Sequence, residues 1–198
     1  TLKRPVVLVD AGANVDCSAE ELVQFARLGS VYAEDILMRP DPSIGLLSNG
    51  EESEKGNGAV KEAHKLLSQA GLNFIGNVEG RDILSAGSAR GALDVVVCDG
   101  FVGNVLLKFY ESVPALIFSM LAAAGFEQDK IARTFQGFDY SDYGGAPLLG
   151  VKGVSIISHG SSSPRAMKNA IQVAVRAVES RMNDHIGRRL GHAAVASA

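Results

Sequence analysis

Cysteine is scarce in this chain, with Cys17 and Cys98 the two among 198 residues. They form no C-x-x-C pair and no metal-ligand spacing, so reduced, buried thiols in a cytosolic protein are expected. Blocks of lysine or arginine are missing too. A net charge of -3 argues against a general nucleic-acid binder, which is normally basic. No heptads, low-complexity tracts or repeats at a fixed period occur. The longest apolar stretch, 113–126, reads as too short to span a bilayer. No signal peptide is expected, because Thr1-Leu2-Lys3-Arg4 leads straight into a strand. Three catalytic signatures are also absent. There is no G-x-x-x-x-G-K-[ST] phosphate loop, no G-x-G-x-x-G after a strand and no G-x-S-x-G elbow. Asp16, Asp99, Asp139 and Asp142 are too dispersed to assert a metal site.

What is present is core-forming. With 46% hydrophobic and 21% charged residues, the chain reads as soluble and globular, either one large domain or an incomplete larger one. The most informative stretch is 94–108, D-V-V-V-C-D-G-F-V-G-N-V-L-L-K. Three consecutive β-branched valines suit a strand buried on both faces of a parallel sheet. Asp99 and Gly100 break the run, and Val105, Leu106, Phe109 and Tyr110 follow at helical spacing. Strand, short glycine-bearing turn and helix make a βα corner whose helix N-terminus favours small anions. Asp99 and Asn104 sit on that corner, with Lys108 about one turn further on. The plainer reading is a structural turn in which Asp99 caps the helix.

The same pattern recurs along the chain. Strands are expected over 6–9, 44–47, 74–76, 95–97 and 154–157, each followed by glycine with Asn, Asp or Ser. Ser18 and Glu21 form a capping box for a helix to about Met38. Further helices are expected over 59–70, to about Ala124, over 127–135, and from Pro164 to about Leu190. The stretch 85–92 reads as a flexible excursion, and 137–150 as an ordered loop. In a parallel α/β sheet all five corners fall on one edge, which makes a polar cleft.

Two side chains in these corners could do chemistry. Lys55 lies in E-K-G-N-G just before a helix, between glycines that let a phosphate approach; the alternative is a solvated surface charge. His159 follows a strand and precedes Gly160 and three serines, so it could donate to phosphate or move a proton, or merely cap the strand end. His64, His185 and His192 read as surface residues.

Several segments, taken together and in order, resemble the bacterial phosphate acyltransferase family of phospholipid synthesis. They are D-A-G-A-N-V-D (10–16), G-S-V-Y-A (29–33), E-K-G-N (54–57) and N-F-I-G-N-V-E-G-R-D (73–82). The others are C-D-G-F-V-G-N-V-L-L-K (98–108), Y-G-G-A-P-L-L-G (143–150) and H-G-S-S (159–162). The resemblance covers nearly the whole chain. It implies an α/β fold, a mostly parallel sheet with helices on both faces, similar to isocitrate and isopropylmalate dehydrogenases and to phosphotransacetylase. Family members carry a further N-terminal region, so the chain is expected to be one α/β domain (1–198), incomplete at its N-terminus, with a projecting helical hairpin over 113–136.

The reaction implied by the resemblance is attack of inorganic phosphate on an acyl-carrier-protein thioester, giving an acyl phosphate. Phosphate is already a usable nucleophile near neutral pH, and a thiolate leaves readily, so positioning and charge stabilisation matter most. The matching positions imply Lys55 at the phosphate or developing oxyanion and Asn104 donating its amide there. His159 joins them as an expected catalytic residue, with Asn14, Asn77, Asp99, Gly100, Gly145 and Ser161 expected to bind substrate or phosphate. No metal or organic cofactor is implied.

Acyl carrier protein, inorganic phosphate and a second copy of the chain are the expected partners. The acidic carrier could meet Lys108, Lys130, Arg133 or Arg165. The implied location is the cytoplasm, with peripheral contact at the inner face of the membrane through Leu116, Ile117, Met120, Leu121, Phe126 and Ile131. The same apolar residues could instead be buried between two subunits. Two alternatives stay open: a metal- and NAD-dependent decarboxylating dehydrogenase of the same fold, and a non-catalytic module that binds acyl carrier protein.

Overall fold

The computed structural model describes residues 4–135, 145–160 and 162–195. Four strands form its parallel sheet: β1 (Val7–Val9), β2 (Ile44–Leu47), β3 (Phe74–Val78) and β6 (Val95–Val97), in the order β1-β6-β2-β3. Val95 and Val97 point to one face and Val96 to the other, and all three are fully buried. Burying each valine is worth about 1.5–3 kcal/mol, which makes β6 the apolar centre of the sheet. Four of the five expected strands are therefore present in this sheet, and β3 runs two residues further than its pattern suggested.

Helices α1 (Ala19–Asp35), α2 (Gly58–Ser68) and α7 (Met182–Val195) cover the Val95/Val97 face. Ser18 caps α1 as expected: its side chain accepts from Glu21 N while the Glu21 carboxylate accepts from Ser18 N. Gly29 lets α1 lie close to the sheet, since a Cβ there would come within 2.6 Å of Val95 Cγ1. The other face is smaller. Val78, Leu93 and Val96 pack there with Leu8, Leu47, Ile75 and Ile83, the last from α3 (Gly80–Ser85).

Several expectations are corrected by this arrangement. The excursion after α3 is an antiparallel hairpin, β4 (Gly87–Ser88) and β5 (Gly91–Ala92), tied to β3 by Arg90. The segment at 154–157 does not join the parallel sheet. Only Ile156–Ile157 (β8) is strand, and it pairs antiparallel with β7 (Ala146–Pro147). A strand of two residues flanked by polar and glycine positions offers too little apolar surface for a buried central place. The final helix is two, α6 (Pro164–Glu179) and α7, broken where Arg181 takes a left-handed φ of 54°. His64 and His185 are half-buried rather than on the surface. His64 Nδ1 lies 2.9 Å from Asn77 Oδ1, and His185 Nδ1 lies 2.8 Å from Asp35 Oδ2, joining α7 to α1.

The apolar run at 113–126 is part of a longer helix. α4 (Gly100–Ala123) has 24 residues, followed by α5 (Gln128–Phe135), which packs against it. By length and composition alone α4 is long and apolar enough to cross a membrane, as the apolar run by itself is not. Phe109, Leu116, Met120 and Phe126 are all exposed on this hairpin, Phe109 to 68%. Most of loop 137–150 lies outside the described residues.

Candidate functional site

Parallel strands present all their carboxyl ends on one edge, so four corners gather there. From the strand order, the corner after β6 lies between the one after β1 and the one after β2. That places Asn104 and the Lys55 loop on neighbouring corners.

The β1 corner is built around Asp10, which is 8% exposed. Its Oδ1 accepts from the amides of Gly12 (2.9 Å) and Ala13 (3.0 Å), and its Oδ2 from the amide (2.7 Å) and side chain (3.0 Å) of Asn14. Burial pushes the Asp10 carboxyl up, but the hydrogen bonds from Ala13, Asn14 and Gly12 outweigh it and hold it below the ordinary value. The Asn14 carboxamide, expected to bind phosphate, is committed to Asp10. The Asn14 backbone carbonyl oxygen accepts from Gly100 N at 2.7 Å and so joins the first corner to the second.

That second corner starts α4. Asp99 is its N-cap, accepting from Val102 N at 2.8 Å, so the structural role weighed for it is real. Gly100 and Gly103 are buried against loop 10–14; a Cβ on Gly103 would overlap the Asp10 carbonyl oxygen and lie 3.1 Å from Cys98 Sγ. Cys98 is the buried thiol expected, and burial pushes it up to about 12. Cys17 is only half-buried, with its Sγ 3.3 Å from the Asn14 carbonyl. Asn104 follows on the exposed side of α4, its Oδ1 3.6 Å from the position a Cβ on Gly12 would take. None of the described residues hydrogen-bonds its carboxamide.

The third corner is the loop between β2 and α2. Asn57 caps α2 by accepting from Val60 N at 2.9 Å, and Asn49 Oδ1 accepts from Gly56 N at 2.8 Å. Gly56 has a φ of +98°, which a side chain would strain. The Lys55 stem crosses Gly50, where a Cβ would lie 2.7 Å from Lys55 Cγ. Lys55 is exposed, and its ammonium makes no hydrogen bond or ion pair with the described residues. Below the loop, Asn77 is 2% exposed and fully engaged, its Nδ2 donating to the Glu52 carbonyl at 2.7 Å and its Oδ1 meeting His64. It supports the loop from beneath rather than facing solvent.

A cleft of about 490 Å³ opens beside Lys55, lined also by Asn49, Glu51, Glu52, Glu79, Arg81 and Arg90. Arg81 is paired with Glu51 (3.1 Å) and Glu79 (2.7 Å). Sequence patterns did not mark Arg81 and Arg90, nor Ser48 just after β2, whose buried Oγ has no hydrogen-bond partner among the described residues. Among the described residues no three His, Cys, Asp or Glu side chains come together as metal ligands.

Residues 1–185 match the family model described as fatty acid synthesis protein. The chain belongs to that family. Its relatives include the phosphate acyltransferase of Clostridium acetobutylicum, 48% identical over 197 residues that make up 94% of this chain and 58% of the relative. That of Syntrophotalea carbinolica is 48% identical over 201 residues, 96% of this chain and 56% of the relative. That of Moorella thermoacetica is also 48% identical over 201 residues, 94% and 57% respectively. The chain thus spans a little over half the length of the curated relatives it matches. The resemblance read from the motifs is borne out at the level of the family.

For this member of the fatty acid synthesis protein family, the expected site residues divide by place. Asn14, Lys55, Asn77, Asp99, Gly100 and Asn104 all belong to the carboxyl-edge corners or their immediate support. Gly145 and His159 do not, because they flank β7 and β8 outside the parallel sheet. Gly145 has a φ of +103° and packs against the Ile157 carbonyl, while His159 is exposed. Ser161 lies outside the described residues.

Proposed function

We propose that this chain carries the phosphate-binding edge of an acyltransferase. The enzyme moves a fatty acyl group from acyl carrier protein to inorganic phosphate, for phosphatidic acid synthesis. One observation carries the reading: a lysine and a carboxamide, neither paired with any of the described residues, stand on adjacent corners, next to the N-termini of α2 and α4. Backbone N–H groups and a lysine suit a phosphate, and the relatives bear the name phosphate acyltransferase.

In the step, an oxygen of HPO4²⁻ attacks the thioester carbonyl carbon. The tetrahedral oxyanion collapses, the carbon–sulfur bond breaks, and the phosphate proton ends on the departing thiol. Lys55 holds the phosphate or the oxyanion, and Asn104 donates its amide to the same centre. The charge they offset develops during the reaction, which is where such contacts accelerate it.

The remaining partners follow as part of the same proposal. The apolar face of the α4–α5 hairpin meets a second copy of the chain or the inner membrane surface. Residues 1–198 act as one α/β unit completed by further polypeptide. The carrier protein docks near cations already steadied by acids, such as Lys108 beside Glu111 at 2.9 Å and Lys130 beside Glu127 at 3.1 Å.

The test uses the protein extended to the length of its relatives, with long-chain acyl carrier protein and phosphate. Lys55→Ala and Asn104→Ala are each expected to lower phosphate-dependent acyl phosphate formation about 100-fold or more. Full activity in both would remove these residues from the site. No turnover by the unaltered protein would overturn the acyltransferase reading and favour a carrier-binding module.

A further inference from the structure

The tip of hairpin β4–β5 carries Arg90 to the loop at the carboxyl edge of the sheet. Arg90 Nη1 donates to the Ile75 carbonyl on β3 at 3.1 Å, and Nη2 to the Glu51 carbonyl in the Lys55 loop at 3.4 Å. One planar guanidinium therefore bridges the sheet edge and the loop, the fork geometry that arginine offers and lysine lacks. The room for it comes from Gly76. A Cβ there would overlap Arg90 Nη1 and lie 3.0 Å from Cζ, and the φ of +95° further disfavours a side chain. Arg81 beside it is paired with two glutamates, whereas Arg90 makes no ion pair with the described residues.

A second hold acts on the next residue. Asn77 Nδ2 grips the Glu52 carbonyl from below, and that same carbonyl accepts from Lys55 N at 3.1 Å. Consecutive carbonyls, 51 and 52, are thus fixed from two sides just before the turn that bears Lys55. We propose that Arg90 is a positioning residue. It straps loop 48–57 to the sheet edge and so holds the Lys55 ammonium over the cleft. The inference rests on Lys55 being the phosphate-binding group of the proposed reaction.

A strap changes how often the loop is competent, and apparent affinity falls by that fraction. In the protein extended to the length of its relatives, Arg90→Ala is expected to raise the KM for inorganic phosphate about 10-fold. The kcat should stay within about threefold, because saturating phosphate repopulates the ordered loop. Arg90→Lys restores only part of the affinity. Gly76→Ala, which displaces the guanidinium, acts in the same direction, and adding Arg90→Ala to it raises KM little further. Hydrogen exchange reads the strap without any turnover. Amides of 50–57 should exchange about 10-fold faster in Arg90→Ala, while those of α1 do not change. Unchanged exchange over 50–57 overturns the strap even where the enzyme works. Faster exchange with an unchanged phosphate KM overturns its link to Lys55. Faster exchange in a protein that never turns over keeps the strap and rejects the acyltransferase reading instead.

Discussion

Gly103→Ala is expected to lower stability by about 3 kcal/mol, the upper part of the range for overpacked positions. The added methyl would collide with the Asp10 carbonyl oxygen and lie 2.9 Å from its carbon, both backbone atoms. Neither can rotate away as a side chain would. Relief requires the first turn of α4 to lift off loop 10–14, which stretches the 2.7 Å bond from Gly100 N to the Asn14 carbonyl. Gly58→Ala is the control, since nothing lies within 4 Å of a Cβ there and alanine favours a helix. Urea unfolding at pH 7 separates the two. A lower midpoint for Gly103→Ala beside an unchanged or higher one for Gly58→Ala is the expected pair; equal midpoints would mean that α4 does not pack as described.

The second large effect is at Asp10. Asp10→Ala removes the acceptor for three amides and one carboxamide. Bonds to a charged acceptor contribute about 1.5–3 kcal/mol each, but water can reach the exposed amides of 12–14, so a net loss of about 3 kcal/mol is expected. The pH dependence has a definite sign. Its folded-state pKa is depressed, so the Asp10 contribution is complete above the unfolded value, about 3.9, and disappears as pH falls through the folded value. The stability gap between the two proteins should therefore hold from pH 7 to 5 and narrow progressively as pH falls below about 4. Asp94 behaves alike. Burial raises it, and Ser43, Arg39 and Arg4 together hold it down, with Arg39 Nη1 at 2.6 Å. Asp10→Ala therefore retains the part of the acid sensitivity that Asp94 supplies. A gap that stays constant from pH 5 down to the acid limit of folding would count against the buried, ionised Asp10.

The sequence was most readable where one element is decided by few residues. Three adjacent valines announce a strand buried on both faces, and Ser18 with Glu21 announces a helix start; both hold in the structure. The Ile156–Ile157 strand misled because a short apolar run says nothing about its partner. The break at Arg181 left no glycine or proline to mark it. At the candidate site, glycine-bearing corners pointed to the carboxyl edge of the sheet, where four of them gather. They did not distinguish Asn77, buried and holding the loop, from Lys55 above it, since in sequence both read as polar residues of loops that follow a strand. Arg90 escaped notice because its role depends on an empty place at Gly76, and contact across a sheet edge has no local signature.

The strand order also bears on how the chain acquires its shape. β2 and β3 can pair through α2 as soon as both exist, but β1 has no described neighbour except β6. Contacts between those two strands span 88 residues. At a synthesis rate of about 5–20 residues per second, β1 waits roughly 4–18 s for its partner. Until then Val7, Leu8 and Val9 present an apolar, unpaired strand to whatever is nearby. Nascent chains stalled before residue 94 should therefore be cleaved readily near β1 and bind holding chaperones, and those long enough to expose β6 should resist. Equal sensitivity at both lengths would mean that β1 is sheltered by something other than β6. Distant pairing of this kind makes folding slow, and here it makes the Asp10 corner one of the last parts of the edge to form.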